Sequence, residues 1–332
     1  MVPFWIAGQR GLLRVDRGAQ DRLRMSFFSL LAALLLEQLR PLAYRPLVLE
    51  PLAHLAAFLE SRCNAGERRN GIIAWLIGVG GLLLVSAGVH AALVEVSPLL
   101  AWLWNVAVLY MALGYRQCGR HYIEIQRALG RGEVLQARHL LAEWRGHGAD
   151  GLSSSEIARL AIEEGLCTSH RHLFGVIACF LVLPGPTGAV LYRVSAFLAA
   201  AWGKCNDAEN DDFASFARRS FAIIDWLPMR LTAASFAIVG NFEDAVYCWR
   251  TQSHRWPADG LGIVVASGAG ALGVRLGISL LEPGEPVGRA EISTGEEADV
   301  GFMESAISLV WRALVLWVLL LLLVGLASLV GG

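Results

Sequence analysis

The stretch GIVVASGAGALGVRLG, residues 262 to 277, carries Gly268, Gly270 and Gly273 in a G-x-G-x-x-G spacing behind an apolar, β-branched run. In dinucleotide-binding βαβ units that spacing forms the tight turn that brings a helix N-terminus up to a pyrophosphate. The fingerprint also needs a helix after the turn, a second strand within about 30 residues and an acid about 20 residues on. Glu291 stands near the position for the acid, but any helix after Gly273 must stop by Pro283 and Gly284. No second strand of credible length precedes the final apolar segment, so the dinucleotide reading fails on context. Two uses remain, and they are compatible. Gly273 and Gly277, four residues apart, let membrane helices approach closely, or the glycine backbone and Arg275 form an anion-binding nest.

Composition places the whole chain in a membrane. Of 332 residues, 55% are hydrophobic and 17% charged, with a mean hydropathy of +0.50, where a soluble domain carries about 25% charged residues. The net charge of -1 and pI near 6.7 offer no basic excess for a phosphate backbone, which argues against a nucleic-acid partner. Six scattered cysteines (Cys63, Cys118, Cys167, Cys179, Cys205, Cys248) form no C-x-x-C pair and read as buried apolar side chains or free thiols. There is no Walker motif, nucleophile elbow or H-E-x-x-H.

The resulting fold class is all-α: a polytopic integral membrane protein with a cytoplasmic helical insert and broken or re-entrant helices. Residues 1–24 are Arg-rich and uneven, and read as a non-native or disordered extension, with Met25 rather than Met1 as the expected start. Residues 25–115 form an N-terminal membrane region. It opens on MSFFSLLAALLLEQL, shorter than the roughly 20 residues that span a bilayer and so a tilted or interfacial helix. It then holds a transmembrane hairpin at 71–93 and 97–115. Arg62, Arg68 and Arg69 on one flank and Arg116, Arg120 and Arg127 on the other put both outer ends in the cytoplasm. Residues 116–171 are a polar, helical cytoplasmic insert, in which Ser153 and Glu156 have capping-box spacing. Residues 172–332 are a second membrane region, interrupted at Pro184, Gly185, Pro186 and Gly188 and again at Pro228. Such breaks at membrane depth require shelter from lipid. The region contains the Gly/Arg loop 262–277 and a final span, 306–330, with Arg312 near its cytoplasmic start. No internal repeat is visible. The expected location is a bacterial-type inner (cytoplasmic) membrane, crossed several times.

The second half carries DWLPMRLTA (225–233), EDAVYCWR (243–250), ASGAGALGVRLG (266–277) and SLVWRALVLW (308–317) in that order. This series resembles the CobD/CbiB family of cobalamin biosynthesis, whose form reads close to NWIPARLTA, an Ala-Trp-Arg element, AGALGVRL and LVWRA. The resemblance runs from about residue 116 to the C-terminus. It implies an adenosylcobinamide-phosphate synthase that joins adenosylcobyric acid to aminopropanol, or its phosphate, by ATP-dependent amide formation. ATP and Mg²⁺ are then the cofactors, and a corrinoid and aminopropanol phosphate are partners beside the lipid bilayer; a non-catalytic protein needs no cofactor. In that chemistry Asp225, where the family usually has Asn, and Arg230 take catalytic roles. Arg193, Arg250, Ser267, Gly268 and Arg275 bind substrate or anionic groups. The acidic tract CNDAENDDF (205–213) offers Asp207, Asp211 and Asp212 as oxygen ligands for Mg²⁺.

Two stretches depart from the family form. EGLCTSHRH (164–172) replaces ENTVDG, and AFLAAAWG (196–203) replaces NTLDSMVG, so that Ala196 and Ala199 stand for an Asn and an Asp. Cys167, His170 and His172 suggest either a metal group or hydrogen-bonded histidines at an interface. The same superfamily contains AmpE-like membrane proteins, so a non-catalytic sensor or signalling modulator of β-lactamase induction is the alternative function.

Overall fold

The structure, a computed structural model, describes residues 25–39, 45–64, 68–146, 149, 151–203, 212–256, 260–277, 292–293 and 295–330. The extension 1–24, Asp207, Asp211, Pro283, Gly284 and Glu291 lie outside the described residues. Among the described residues the regular structure is helical, with two isolated bridges, Val274 to Glu296 and Leu276 to Ile292, as the only β pairing.

In chain order the helices are α1 (Met25–Leu39), α2 (Glu50–Cys63), α3 (Arg68–Val96), α4 (Pro98–Leu113), α5 (Tyr115–Gly130) and α6 (Val134–Arg145). They continue with α7 (Ser154–Val182), α8 (Thr187–Gly203), α9 (Asp212–Val239), α10 (Phe242–Gln252), α11 (Gly262–Leu272) and α12 (Val300–Val330). Four of these, α3, α7, α9 and α12 as far as Ala327, are long and apolar enough to cross a membrane. The chain is therefore a multi-pass membrane protein. Its outer surface agrees: Leu84, Val85, Ile223, Val315 and Leu323 are all more than half exposed, a load of apolar surface that lipid accommodates and water does not.

The hairpin expected at 71–93 and 97–115 forms, but its second arm is short. Pro98 opens α4, where its missing N–H costs nothing, and Gly114 ends it with φ 56°, in the left-handed region that suits glycine. The 16 residues between reach about 24 Å, less than the roughly 30 Å hydrocarbon core. Beyond Gly114 the chain becomes the amphipathic α5.

The capping box forms as its spacing predicts. Ser153 Oγ accepts from the Glu156 N–H at 3.3 Å, and Glu156 Oε2 accepts from the Ser153 N–H at 2.7 Å. Helix α7 then runs unbroken through a π turn at His170–Phe174, so the insert boundary drawn at 171 falls inside one continuous helix. The true break is at Leu183–Pro186, where Gly185 adopts φ 63° and α8 folds back on α7. Gly188 lies so tightly on the Cys179 carbonyl that a methyl group has no room.

Most buried side chains form one core among α1, α4 to α7, the first turns of α8 and α9 to α12; a smaller one joins α2, α3, the rest of α8 and the start of α9 around Trp202 and Phe213.

Candidate functional site

The run IVVAS is helix, not strand: it opens α11, which packs antiparallel on α10. The glycines do allow close packing, but not the pair that the four-residue spacing singled out. Gly270 sits on the Asp244 carbonyl and Gly262 on the Ser253 carbonyl, each without room for a Cβ, whereas a Cβ on Gly273 would meet nothing within 4 Å. Gly273 and Gly277 instead take φ of 67° and 77° and turn the chain out of α11. Helix-helix contact is decided by which glycine faces a neighbouring helix, and Gly273, past the end of α11, has Gly295 against its carbonyl instead.

That turn is held from several directions. The Arg275 N–H donates to the Glu296 carbonyl at 2.8 Å, Leu276 and Ile292 exchange two backbone bonds of 3.0 and 2.7 Å, and the Gly277 N–H donates to Glu163 Oε1 at 2.7 Å. Glu163 belongs to α7 and is buried. The Arg275 backbone is thus fixed, and the buried Nε of its side chain has no hydrogen-bond partner among the described residues.

The other expected anion contacts are dispersed. Ser267 is buried, and its hydroxyl donates to the Ala233 carbonyl at 2.7 Å, tying α11 to α9. Gly268 makes room for Leu166 of α7. Arg250 is exposed on α10. Arg193 is buried on α8, where its charge is felt at His172. Arg230 does not pair with Asp225, which sits 140° away around an ideal helix at about 100° per residue. Its guanidinium lies 4.0 Å from the ring centroid of Trp226 and donates to the Trp226 carbonyl at 2.9 Å.

Asp225 belongs to a closed polar centre that joins α7, α8 and α9. Its Oδ1 lies 2.9 Å from His170 Nε2 and accepts from the Tyr192 hydroxyl at 2.9 Å. His170 Nδ1 lies 2.9 Å from Thr232 Oγ1, which donates its own proton to the Pro228 carbonyl at 3.0 Å. With that proton committed, Thr232 accepts from Nδ1–H, and the other ring nitrogen faces the Asp225 carboxyl. His170, Tyr192 and Thr232 are 0% exposed and Asp225 3%. Local sequence explains the fit: Gly175 leaves the space that the Tyr192 ring occupies. With its bonds internal and no exposed face, Asp225 is placed to clamp three helices rather than to meet a substrate. Sequence reasoning singled out Asp225 but not Tyr192 or Thr232, and saw His170 only as an interfacial or metal histidine. The place of Thr232 within DWLPMRLTA, a stretch already singled out, was the one available signal.

No group of three or more His, Cys, Asp or Glu side chains suited to a metal is found among the described residues. His170 is committed to Asp225 and Thr232, so Cys167 and His172 do not complete a site with it. Asp212 is exposed at the start of α9. Ala196 and Ala199 are half-buried on α8.

Comparison with known proteins agrees on one family. Residues 28–328 match the family model described as CobD/Cbib protein. The chain is 35% identical over 305 residues to Cobalamin biosynthesis protein CobD of Stutzerimonas stutzeri, covering 90% of this chain and 98% of that one. The protein of the same name from Chromobacterium violaceum is 34% identical over 220 residues, 66% of this chain and 70% of its own. That of Leptospira interrogans is 26% identical over 230 residues, 67% and 71% of the two chains. No solved structure matches. These relatives are all named for cobalamin biosynthesis, and the AmpE-like alternative finds no support in them.

Proposed function

The chain belongs to the CobD/Cbib family, and from that premise we propose that it acts in cobalamin biosynthesis in the bacterial inner membrane. The reaction is amide formation between adenosylcobyric acid and aminopropanol or its phosphate. The observation that carries this reading is the nearly end-to-end match to the Stutzerimonas stutzeri protein.

A carboxylate is a poor acceptor for an amine until one of its oxygens becomes a leaving group, and ATP with Mg²⁺ is the proposed source of that activation. The part left to the protein is to hold phosphate charge and exclude misalignment. Arg275 suits the first task, because a cation carried on a pinned turn meets developing charge with less reorganisation of the chain. Arg250, exposed in the last turn of α10, is a further cation, and Arg230 is another inside α9, partly exposed and lying on the Trp226 ring. Of the acids assigned to Mg²⁺, Asp212 alone is described, and it belongs to no group of three or more His, Cys, Asp or Glu among the described residues. No step is therefore assigned to the metal.

The test uses the full chain in lipid nanodiscs with adenosylcobyric acid, aminopropanol phosphate, ATP and Mg²⁺, following product by mass spectrometry. Product that falls at least tenfold in Arg275→Ala, at an unchanged melting temperature, supports the reading. Absence of product from folded, inserted wild-type protein overturns it.

A further inference from the structure

A cavity of about 920 Å³ opens between α1, α5, α7 and α12, at the upper end of the roughly 300–1,000 Å³ usual for small-molecule sites. Its walls differ in character. Helix α5 presents Arg120, Glu124 and Arg127 to it, spaced four and three residues apart and so on one face, and α1 adds the buried carboxylate of Glu37. Opposite them stand apolar side chains of α7 and of the membrane-crossing α12, with Trp144 and Trp311 among the lining residues. The recess therefore lies where the bundle passes from its polar insert to its apolar span.

It is a constructed space and not a packing fault. The Tyr122 hydroxyl donates to the Met303 carbonyl at 2.9 Å, which fixes one wall between α5 and α12. Its ring stacks edge-on to Trp144, centroids 6.3 Å apart, and lies over Gly165, where any Cβ would come within 2.8 Å of it. Gly119 also lines the cavity, and a Cβ there would meet nothing within 4 Å. The helix thus keeps open a place that a larger residue, with better helix propensity, would fill.

The chemistry of the walls limits the occupant. A lipid tail has no use for four charged groups, and a simple anion would meet Glu37 and Glu124. A rim that mixes two acids and two arginines on α1 and α5, opposite apolar walls from α7 and α12, suits a large molecule whose edge carries groups that both donate and accept, as amides do, around a broad apolar face. We propose that this cavity seats the amide-bearing macrocycle of the corrinoid substrate, an assignment that rests on the function proposed above.

Gly119→Leu fills the cavity from α5, and Ile123→Trp fills it from its lip, where Ile123 is 39% exposed. Binding of cobyric acid to the full chain in nanodiscs is read by tryptophan quenching, beside steady-state kinetics and a melting curve. At an unchanged melting temperature, either variant weakens cobyric acid binding at least tenfold and raises KM for the corrinoid but not for aminopropanol phosphate. If wild type makes product while both folded variants bind cobyric acid and turn over as wild type does, the cavity assignment falls and the synthase reading stands. If wild type makes no product yet binds cobyric acid with an affinity that both variants lower, the cavity assignment stands and the synthase reading falls. If cobyric acid does not bind to wild type, or only phospholipid is displaced by the variants, the assignment is overturned.

Discussion

His170 Nε2 and Asp225 Oδ1 lie 2.9 Å apart in a centre closed to solvent, although 55 positions separate them in the chain. A polar group buried without a partner is costly, and each of these two supplies the other's partner.

Removing one member strands the other. His170→Ala and Asp225→Ala each lower stability by about 3–5 kcal/mol, the usual cost of breaking a buried pair. The double variant loses much less than the sum, because neither partner is left unpaired. Melting of the four proteins in one detergent measures this; additive losses would show that the two groups act independently.

Gly175→Ala puts a methyl group into the space of the Tyr192 ring and moves its hydroxyl away from Asp225. Overpacking of this kind costs about 1–3 kcal/mol. Gly88→Ala, where a Cβ meets nothing within 4 Å, leaves the melting temperature unchanged or raises it. Equal behaviour of the two variants would refute the packing account.

Glu163 holds the Gly277 N–H and through it the turn that carries Arg275. Glu163→Gln keeps an acceptor oxygen and retains most stability. Glu163→Leu leaves a buried donor unsatisfied, at about 1–3 kcal/mol, and frees the loop. Amide hydrogen exchange over residues 273–277 rises in the leucine variant alone; protection that persists there would mean that Glu163 does not anchor the turn.

Cys248 on α10 is buried, and that burial, aided by the Asp244 charge and opposed by a hydrogen bond from Ser293, pushes its thiol above the ordinary value. The folded state therefore disfavours the thiolate, so the contribution is complete below the unfolded thiol's range and is lost as pH rises beyond that range through the raised folded value. In a variant retaining only this cysteine, maleimide labelling is slow in the folded protein and rapid after denaturation. Rapid labelling of the folded protein at pH 7 would contradict the burial.

The features legible in sequence were those whose cause lies within a few residues. Composition declared the membrane, Ser153 and Glu156 declared a helix start, and Pro184 to Gly188 declared the break that becomes the α7–α8 hairpin. The failure of the G-x-G-x-x-G reading was also legible, because a βαβ unit needs elements that the next thirty residues lack.

The second arm of the first hairpin was drawn at 97–115 and its helix runs Pro98–Leu113, because Gly114 turns into the left-handed region before the polar α5 begins. The packing role of Gly273 and Gly277 was misplaced for a related reason. Spacing gives the face of a helix but not whether a neighbour lies against it, and these two residues lie beyond the end of α11.

By itself, then, the sequence determined an all-α membrane chain, its principal breaks and its family likeness, since hydropathy, caps and motif order act locally along the chain. Only the tertiary structure decided that His170 meets Asp225 across 55 positions, Glu163 meets Gly277 across 114, and Tyr122 meets Met303 across 181. The physical reason is that a buried polar group must find its partner wherever packing brings one, and that partner's place in the chain leaves no local pattern to read.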